Sequence, residues 1–308
     1  MITTICMNPS FDKTVEIDTL VQGQVNRIQD VRVDLGGKGV NVAVVAHRLG
    51  LDVQCIGIAG EEGRSDLTAM LDREGVRHSF LRVPGRVRTN LKICCTDGTG
   101  VTELNEAGPH LSEEDLAAFF ELAREKTASS DIVVVTGSMP PGCPEGSYRA
   151  ILHALKGKKC ILDTRGRELE MSVKEEHPFL IKPNLKEMEE TLGMELRTMR
   201  QIRDAALIFV RLGVEHAVVS MGAMGAMYVT MEKTLYAPAL RVATKSTVGA
   251  GDAMIGGMLL GFEREGDMAK AFRYGVAAGA ASVITSGTQL IVKSDFDKLL
   301  DQVRIQEV

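Results

Sequence analysis

The sequence predicts an α/β fold: a central, mostly parallel sheet with helices on both faces and a small β-sheet lid. Three observations predict it. Short β-branched runs alternate with stretches of helical spacing along most of the 308 residues. Several runs, such as DIVVVTGS (131–138), are continuously apolar, as strands are when a parallel sheet is covered on both faces. Two other stretches, about 13–34 and 86–105, break this rhythm with polar alternation and so fall outside the main sheet.

The elements follow in order. ITTICM (2–7) is a first strand, and KTVEIDTLVQGQVNRIQDVRVD (13–34) is the first odd stretch. GVNVAVVAHRLG (39–50) has helical spacing and ends on Gly50. VQCIGIAG (53–60) is a strand and turn, and RSDLTAMLDREG (64–75) a helix with a glycine stop. In the second odd stretch, RVRTNLKICCTDGTGVTELN (86–105), the Asp-Gly step suggests a hairpin. SEEDLAAFFELAREK (112–126) opens on a capping-box pair, Ser112 and Asp115. The strands DIVVVTGS, KCILDT (159–164), FLIKPN (179–184) and HAVVSMG (216–222) are each followed by helical text. Helices over 251–264 and 268–285 close the core. The reading is one domain over 1–308 with its lid strands drawn from the two odd stretches. Those stretches are a lid over a cleft, a homodimer interface, or both; the plain alternative is a surface hairpin.

Composition bounds the function. A 44% hydrophobic and 25% charged chain is ordinary for a globular protein. The net charge of −5 argues against nucleic acid and acidic membrane as partners. The opening MITTICMNPSFD lacks the basic and apolar regions of a signal peptide, and no apolar run reaches spanning length. The six cysteines, Cys6, Cys55, Cys94, Cys95, Cys143 and Cys160, form no CxxC pair. Free, reduced thiols are expected, which fits the cytoplasm.

TVGAGDAMIGG (247–257) carries the strongest chemistry. Gly249, Ala250 and Gly251 lead into one acid, Asp252, at the mouth of an apolar helix. Asp252 is either an N-cap or the base beside an anion hole of bare amides and helix dipole. LGGKGVN (35–41) fails both the Walker A pattern and the GxGxxG fingerprint. It leaves Lys38 and Asn41 on a glycine-rich loop, as phosphate or hydroxyl binders or as a tight turn with a solvated lysine. In KPNLKEME (182–189), Asn184 and Glu187 have capping-box spacing, or else face a cleft and hold phosphate and Mg²⁺ through water. SMGAMGA (220–226) is a strand end with two glycines, and its plain reading is a hairpin turn. Arg88, Asn90 and Lys92 alternate and so share one strand face, and Asp12 is a turn acid or a grip on sugar hydroxyls.

In combination, GGKGVN, TGSMPPG (136–142), KPNxxE and GAGD, in this order on this rhythm, resemble the ribokinase-like carbohydrate kinases of the phosphofructokinase-B family. The resemblance covers essentially the whole chain. It implies ATP as donor, Mg²⁺, and a sugar hydroxyl as acceptor. It implies Asp252 as catalytic base, with Gly249, Ala250 and Gly251 stabilising the moving phosphoryl. It assigns Lys182, Asn184, Ser220 and Gly222 to ATP, Glu187 to the metal, and Asp12, Gly37, Lys38 and Asn41 to the sugar. MNPSFDKTVE, VNR (25–27), RTNLKI (88–93) and TGSMPPG are most similar to the branch acting on phosphorylated ketohexoses. That adds Arg27, Lys38 and Arg88 as a phosphate clamp, with Asn90 and Ser138 nearby. The branch implies fructose 1-phosphate as substrate, on RTNLKI. TELNEAGP (102–109) is partly similar to the tagatose-6-phosphate kinases and keeps that sugar as an alternative, and the branch also includes 6-phosphofructokinases. Two other classes compete. A dinucleotide dehydrogenase is disfavoured by the absent GxGxxG, and a sugar-phosphate sensor by the presence of Asp252 and the lack of a DNA-binding segment.

Overall fold

A computed structural model describes residues 1–285, 287 and 289–308. The chain opens with β1 (Ile2–Cys6), then leaves the main layer through β2 (Ser10–Ile17) and β3 (Asp30–Gly36). It returns through α1 (Lys38–Arg48), β4 (Val53–Glu62), α2 (Arg64–Glu74) and β5 (Arg77–Arg86), and leaves again through β6 (Arg88–Cys95) and β7 (Gly100–Asn105). Regular alternation follows: α3 (Glu113–Thr127), β8 (Ile132–Thr136), α4 (Ser147–Ala154), β9 (Lys159–Asp163), α5 (Gly166–Glu176), β10 (Leu180–Ile181), α6 (Leu185–Leu192), α7 (Met199–Arg211) and β11 (His216–Ser220). Last come β12 (Ala226–Val229), β13 (Thr234–Ala237), α8 (Ala250–Glu265), α9 (Met268–Val283), α10 (Lys293–Leu300) and β14 (Gln306–Glu307).

The large sheet runs β14-β13-β12-β11-β10-β9-β8-β1-β4-β5. From β11 across to β5 every pairing is parallel, which needs helical crossovers and cover on both faces. Accordingly β1 and β8 are buried at every residue. One face packs on α1, α8 and α9, the other on α3 through α7, and the core divides into two clusters along that plane. The second sheet, β3-β2-β6-β7, is the expected lid. Its β6–β7 hairpin turns through Thr96–Thr99, around the Asp-Gly step.

Helix α8 explains its own composition. A Cβ on Gly256 would lie 2.5 Å from Val45 Cγ1 in α1. One on Gly257 would lie 2.4 Å from Tyr274 O, and one on Gly261 2.6 Å from Ala271 Cα, both in α9. The glycines let α8 wedge between two neighbours, and each added methyl costs about 1–3 kcal/mol of overpacking. The wedge fixes the N-terminal turn that carries Asp252.

The structure corrects several boundaries. Lid strand β2 starts at Ser10, while Arg86 ends β5 of the main sheet and the second lid stretch starts at Arg88. SMGAMGA is the turn of an antiparallel hairpin, β11–β12, so its plain reading holds; β13 and the short β14 extend that edge without a signal in the sequence pattern, because strands of two to four residues are too short to show a period. Both capping boxes form. Ser112 Oγ accepts from Asp115 N while Asp115 Oδ2 accepts from Ser112 N, and Asn184 and Glu187 do the same.

Candidate active site

The carboxyl ends of the parallel strands converge, as expected for ligand sites in open α/β sheets, on a cavity of about 1440 Å³ that the lid closes from one side. Asp252 lies in it. The N-cap of α8 is Gly249, at φ +77, so Asp252 is the third helical residue and caps nothing. The N-cap reading is therefore wrong: the left-handed glycine starts the helix three positions early and turns the carboxylate into the cleft. There, 4% exposed, Asp252 Oδ2 accepts a hydrogen bond from Asn41 Nδ2 at 2.8 Å. Burial, reinforced by the Asp163 charge and opposed by Lys38, Asn41 and Lys182, pushes its pKa up to about 6.

The amides of Gly249, Ala250 and Gly251 open the helix, where main-chain donors lack i−4 acceptors. Among the described residues Ala250 N makes only a 3.4 Å bond, to Thr247 O. A Cβ on Gly251 would lie 2.9 Å from Lys182 Nζ, so glycine here leaves room for the ammonium over the first turn. Lys182, 3% exposed, pairs with Asp163 Oδ1 at 3.2 Å. Asp163 Oδ2 accepts from Lys38 Nζ at 3.0 Å and from Thr136 Oγ1 at 2.9 Å. Burial opposes the charge on Asp163, but Lys182 and Lys38 outweigh it and hold the carboxyl well below the usual range. Lys38 is held protonated, first by Asp163, and lies 3.8 Å from Glu187 Oε1. The result is a chain of alternating charge, Lys182–Asp163–Lys38–Glu187, beside the Asp252 carboxyl.

The glycines of LGGKGVN have steric tasks. A Cβ on Gly36 would lie 2.2 Å from Asp12 Oδ1, Gly37 has φ +96, and a Cβ on Gly39 would lie 2.5 Å from Ile5 O. The loop is thus held tightly against β1 and β2, which places Lys38 and Asn41 in the cleft. At the lid end, Asp12 accepts from Ser10, Asn90 and Lys92. Arg88 Nε donates to Asn8 O at 3.1 Å, and Asn8 Nδ2 donates to Ser138 Oγ at 3.4 Å. An isolated parallel bridge joins Asn184 to Ser220.

Every catalytic, sugar, nucleotide or metal residue assigned from the sequence lines this cavity except Arg27. Arg27 is exposed on the connection between β2 and β3, so the cleft of a single chain lacks it. Sequence reasoning missed Asp163, a lone acid at a strand end. It also missed the apolar far end of the cleft, where Leu240, Val242, Val276 and Ala280 line the wall.

A buried carboxyl of raised pKa, first-turn amides and two lysines on one acid make a site for moving a phosphoryl group to a hydroxyl. The comparisons agree. Residues 5–295 match the pfkB family of carbohydrate kinases. Curated relatives include 1-phosphofructokinases from Haemophilus influenzae (32% identity, 99% of this chain, 97% of the relative) and Bacillus subtilis (32%, 99% and 99%). Among solved structures, phosphofructokinase-2 from Escherichia coli in complex with substrates and products superposes with a TM-score of 0.91 at 29% identity, covering 98% of each chain. The chain belongs to the pfkB family of carbohydrate kinases, and its fold is ribokinase-like. It is a sugar-phosphate kinase.

Proposed function

We propose that the protein transfers the γ-phosphoryl of ATP to the 6-hydroxyl of fructose 1-phosphate, giving fructose 1,6-bisphosphate and ADP. The observation that carries this reading is Asp252, buried, held by Asn41 and set in the first turn of α8 beside the Lys38–Asp163–Lys182 chain. The Asp252 carboxylate takes the hydroxyl proton. The freed oxygen bonds the γ-phosphorus as the bridge to the β-phosphate breaks, and ADP leaves with that electron pair. The amides of Gly249, Ala250 and Gly251 and the Lys182 ammonium stabilise charge on the moving group; losing one such donor typically costs about 10²–10³ in rate. Asp163 is a positioning residue, fixing both lysines. Lys38 lies where the two ligands meet.

ATP fits along the far half, its base against Leu240, Val242, Val276 and Ala280, its phosphates toward Lys182, Asn184, Ser220 and Gly222. Glu187 would hold Mg²⁺: one oxygen is engaged by Asn184 N, and among the described residues the other has only the 3.8 Å contact to Lys38. Among the described residues no group of three or more His, Cys, Asp or Glu could hold a metal, so this donor set fits a hydrated ion shared with phosphates. Bound there, the ion would neutralise phosphate charge.

The sugar end offers Asp12, Gly37, Asn41 and Asn90 to hydroxyls, and Arg88 with Ser138 to the substrate phosphate. Arg27 can reach a sugar phosphate only if the lid moves or a second copy supplies it. Residues 1–308 act as one catalytic unit, and a homodimer through the lid is part of this reading. In the lid register Val31, Val33 and Leu104 point away from the cleft and all are exposed. Among the described residues no helix is long and apolar enough to cross a membrane, and the free cysteines suit a reducing cytoplasm.

Tagatose 6-phosphate is the second reading, on the resemblance of the TELNEAGP segment, whose Glu103 and Asn105 also line the cleft. A coupled ADP-release assay over fructose 1-phosphate, fructose 6-phosphate, tagatose 6-phosphate, fructose and ribose tests both. The expected result is highest kcat/KM on fructose 1-phosphate; a preference for an unphosphorylated sugar contradicts the clamp.

A further inference from the structure

Asp12 faces a cleft that must receive an anion. Its Oδ1 accepts from Ser10 Oγ at 2.9 Å and from Asn90 Nδ2 at 3.0 Å, and its Oδ2 accepts from Lys92 Nζ at 2.6 Å. Asp12 and Lys92 are each 5% exposed, yet both line the cavity. In the parallel β2–β6 register Asp12 stands opposite Asn90, and Lys92 is two residues along on the same face. The ammonium therefore cancels the charge of Asp12 in place, so the buried pair itself presents no net charge, and among the described residues the one further acid opposite Lys92 on this face is Glu103 of β7, which is exposed to solvent.

The pair also has unused capacity. An ammonium has three N–H donors, and among the described residues Lys92 uses one, on Asp12. Beside it, Asn90 Oδ1 is buried with no hydrogen-bond partner among the described residues, as is Asn41 Oδ1 across the same cleft. Buried polar atoms are normally satisfied, so orphans in a cavity point to a ligand that satisfies them. A cationic donor next to an amide acceptor complements neighbouring hydroxyls on a sugar ring, one accepting and one donating.

We propose that Lys92 is a specificity-determining residue: it donates to a ring hydroxyl of the ketohexose and, by neutralising Asp12, lets a phosphorylated sugar lie against that acid. This rests on the sugar-phosphate kinase reading. Lys92 sits at the lid end, so nucleotide binding does not depend on it.

The test compares wild type, Lys92→Met and the double variant Asp12→Asn/Lys92→Met on fructose 1-phosphate and its C3 and C4 epimers. Lys92→Met should raise KM for fructose 1-phosphate by about 10- to 100-fold, the range for a lost charged hydrogen bond. KM for ATP should stay within about threefold. The double variant buries no unpaired charge, so it keeps the test valid if the single variant folds poorly. It should recover part of the lost sugar affinity while turning over the epimers with nearly equal kcat/KM. Wild-type epimer ratios in the double variant, or equal losses for sugar and ATP in Lys92→Met, overturn the proposal. A wild type that turns over no ketohexose phosphate overturns the kinase reading itself.

Discussion

The two ends of the cleft are built differently. The catalytic end is set on the large sheet and on a helix wedged by glycines between two neighbours; three of its charged groups, Asp163, Lys182 and Asp252, are each below 5% exposed, while Lys38 reaches solvent. The sugar end is a four-stranded sheet with open edges, whose outer face carries exposed Val31, Val33 and Leu104. Moving the catalytic end would strand buried charge, and the Asp12–Lys92 pair sets the same limit on the cleft-facing side of the lid, so the contrast lies in the lid's outer face. The lid is tied mainly by main-chain ladders and is free to trade its outer contacts. The difference teaches where to look for each property: rate in the buried charge chain, recognition and assembly in the lid.

Away from Asp252, the largest loss is expected from Asp163→Asn, which leaves Lys38 and Lys182 without their shared counter-charge. Denaturant unfolding should show about 3–5 kcal/mol lost, as for a broken buried pair, and kcat should fall about 10²-fold or more. Gly251→Ala attacks the same end sterically, since its Cβ would stand 2.9 Å from Lys182 Nζ. A kcat about 10- to 100-fold lower with sugar KM little changed would locate the damage at the phosphoryl cradle. At the lid, Val33→Asp with Leu104→Asp should shift light-scattering mass from dimer to monomer and raise sugar KM about two- to fivefold, kcat at saturation being retained. A lid pair that changes kcat as strongly as Gly251→Ala would erase the contrast. Smallest of all, Ser112→Ala removes a cap far from the cleft: about 1 kcal/mol of stability and no change in kinetics.

Much of the catalytic end was legible because glycine is a visible signal. Gly249 and Gly37 have left-handed backbones, and Gly36 and Gly251 leave room for Asp12 and Lys182, so the loops advertise their tasks in residue type. Asp163 was not legible. In KCILDT it resembles any acid at a strand end, and its role arises only when folding brings in Lys38 and Lys182 from distant segments. The apolar wall of Leu240, Val242 and Val276 was hidden for the opposite reason, since apolar residues read as core. Arg27 shows the limit of counting cations, because its charge was visible and its exposed position was not. The second sheet was expected from broken periodicity, but its strand ends follow hydrogen-bond register, which composition does not carry.

The central claim is that one buried carboxylate supplies the base and does so at a cost to the fold. A carboxyl whose folded pKa, about 6, lies above its unfolded value holds its proton more tightly when folded, so its stabilising effect fades as pH rises from about 4 through 6. At pH 7 the ionised Asp252 is therefore a net burden, and activity should fall on acidification below about 6 as the base is protonated. Asp252→Asn, assayed for turnover and melting temperature at pH 7, tests this most directly. The account predicts kcat lower by about 10²–10⁴, ATP and sugar affinities retained, and unfolding stability raised by about 1–3 kcal/mol. Undiminished turnover in that variant would contradict it.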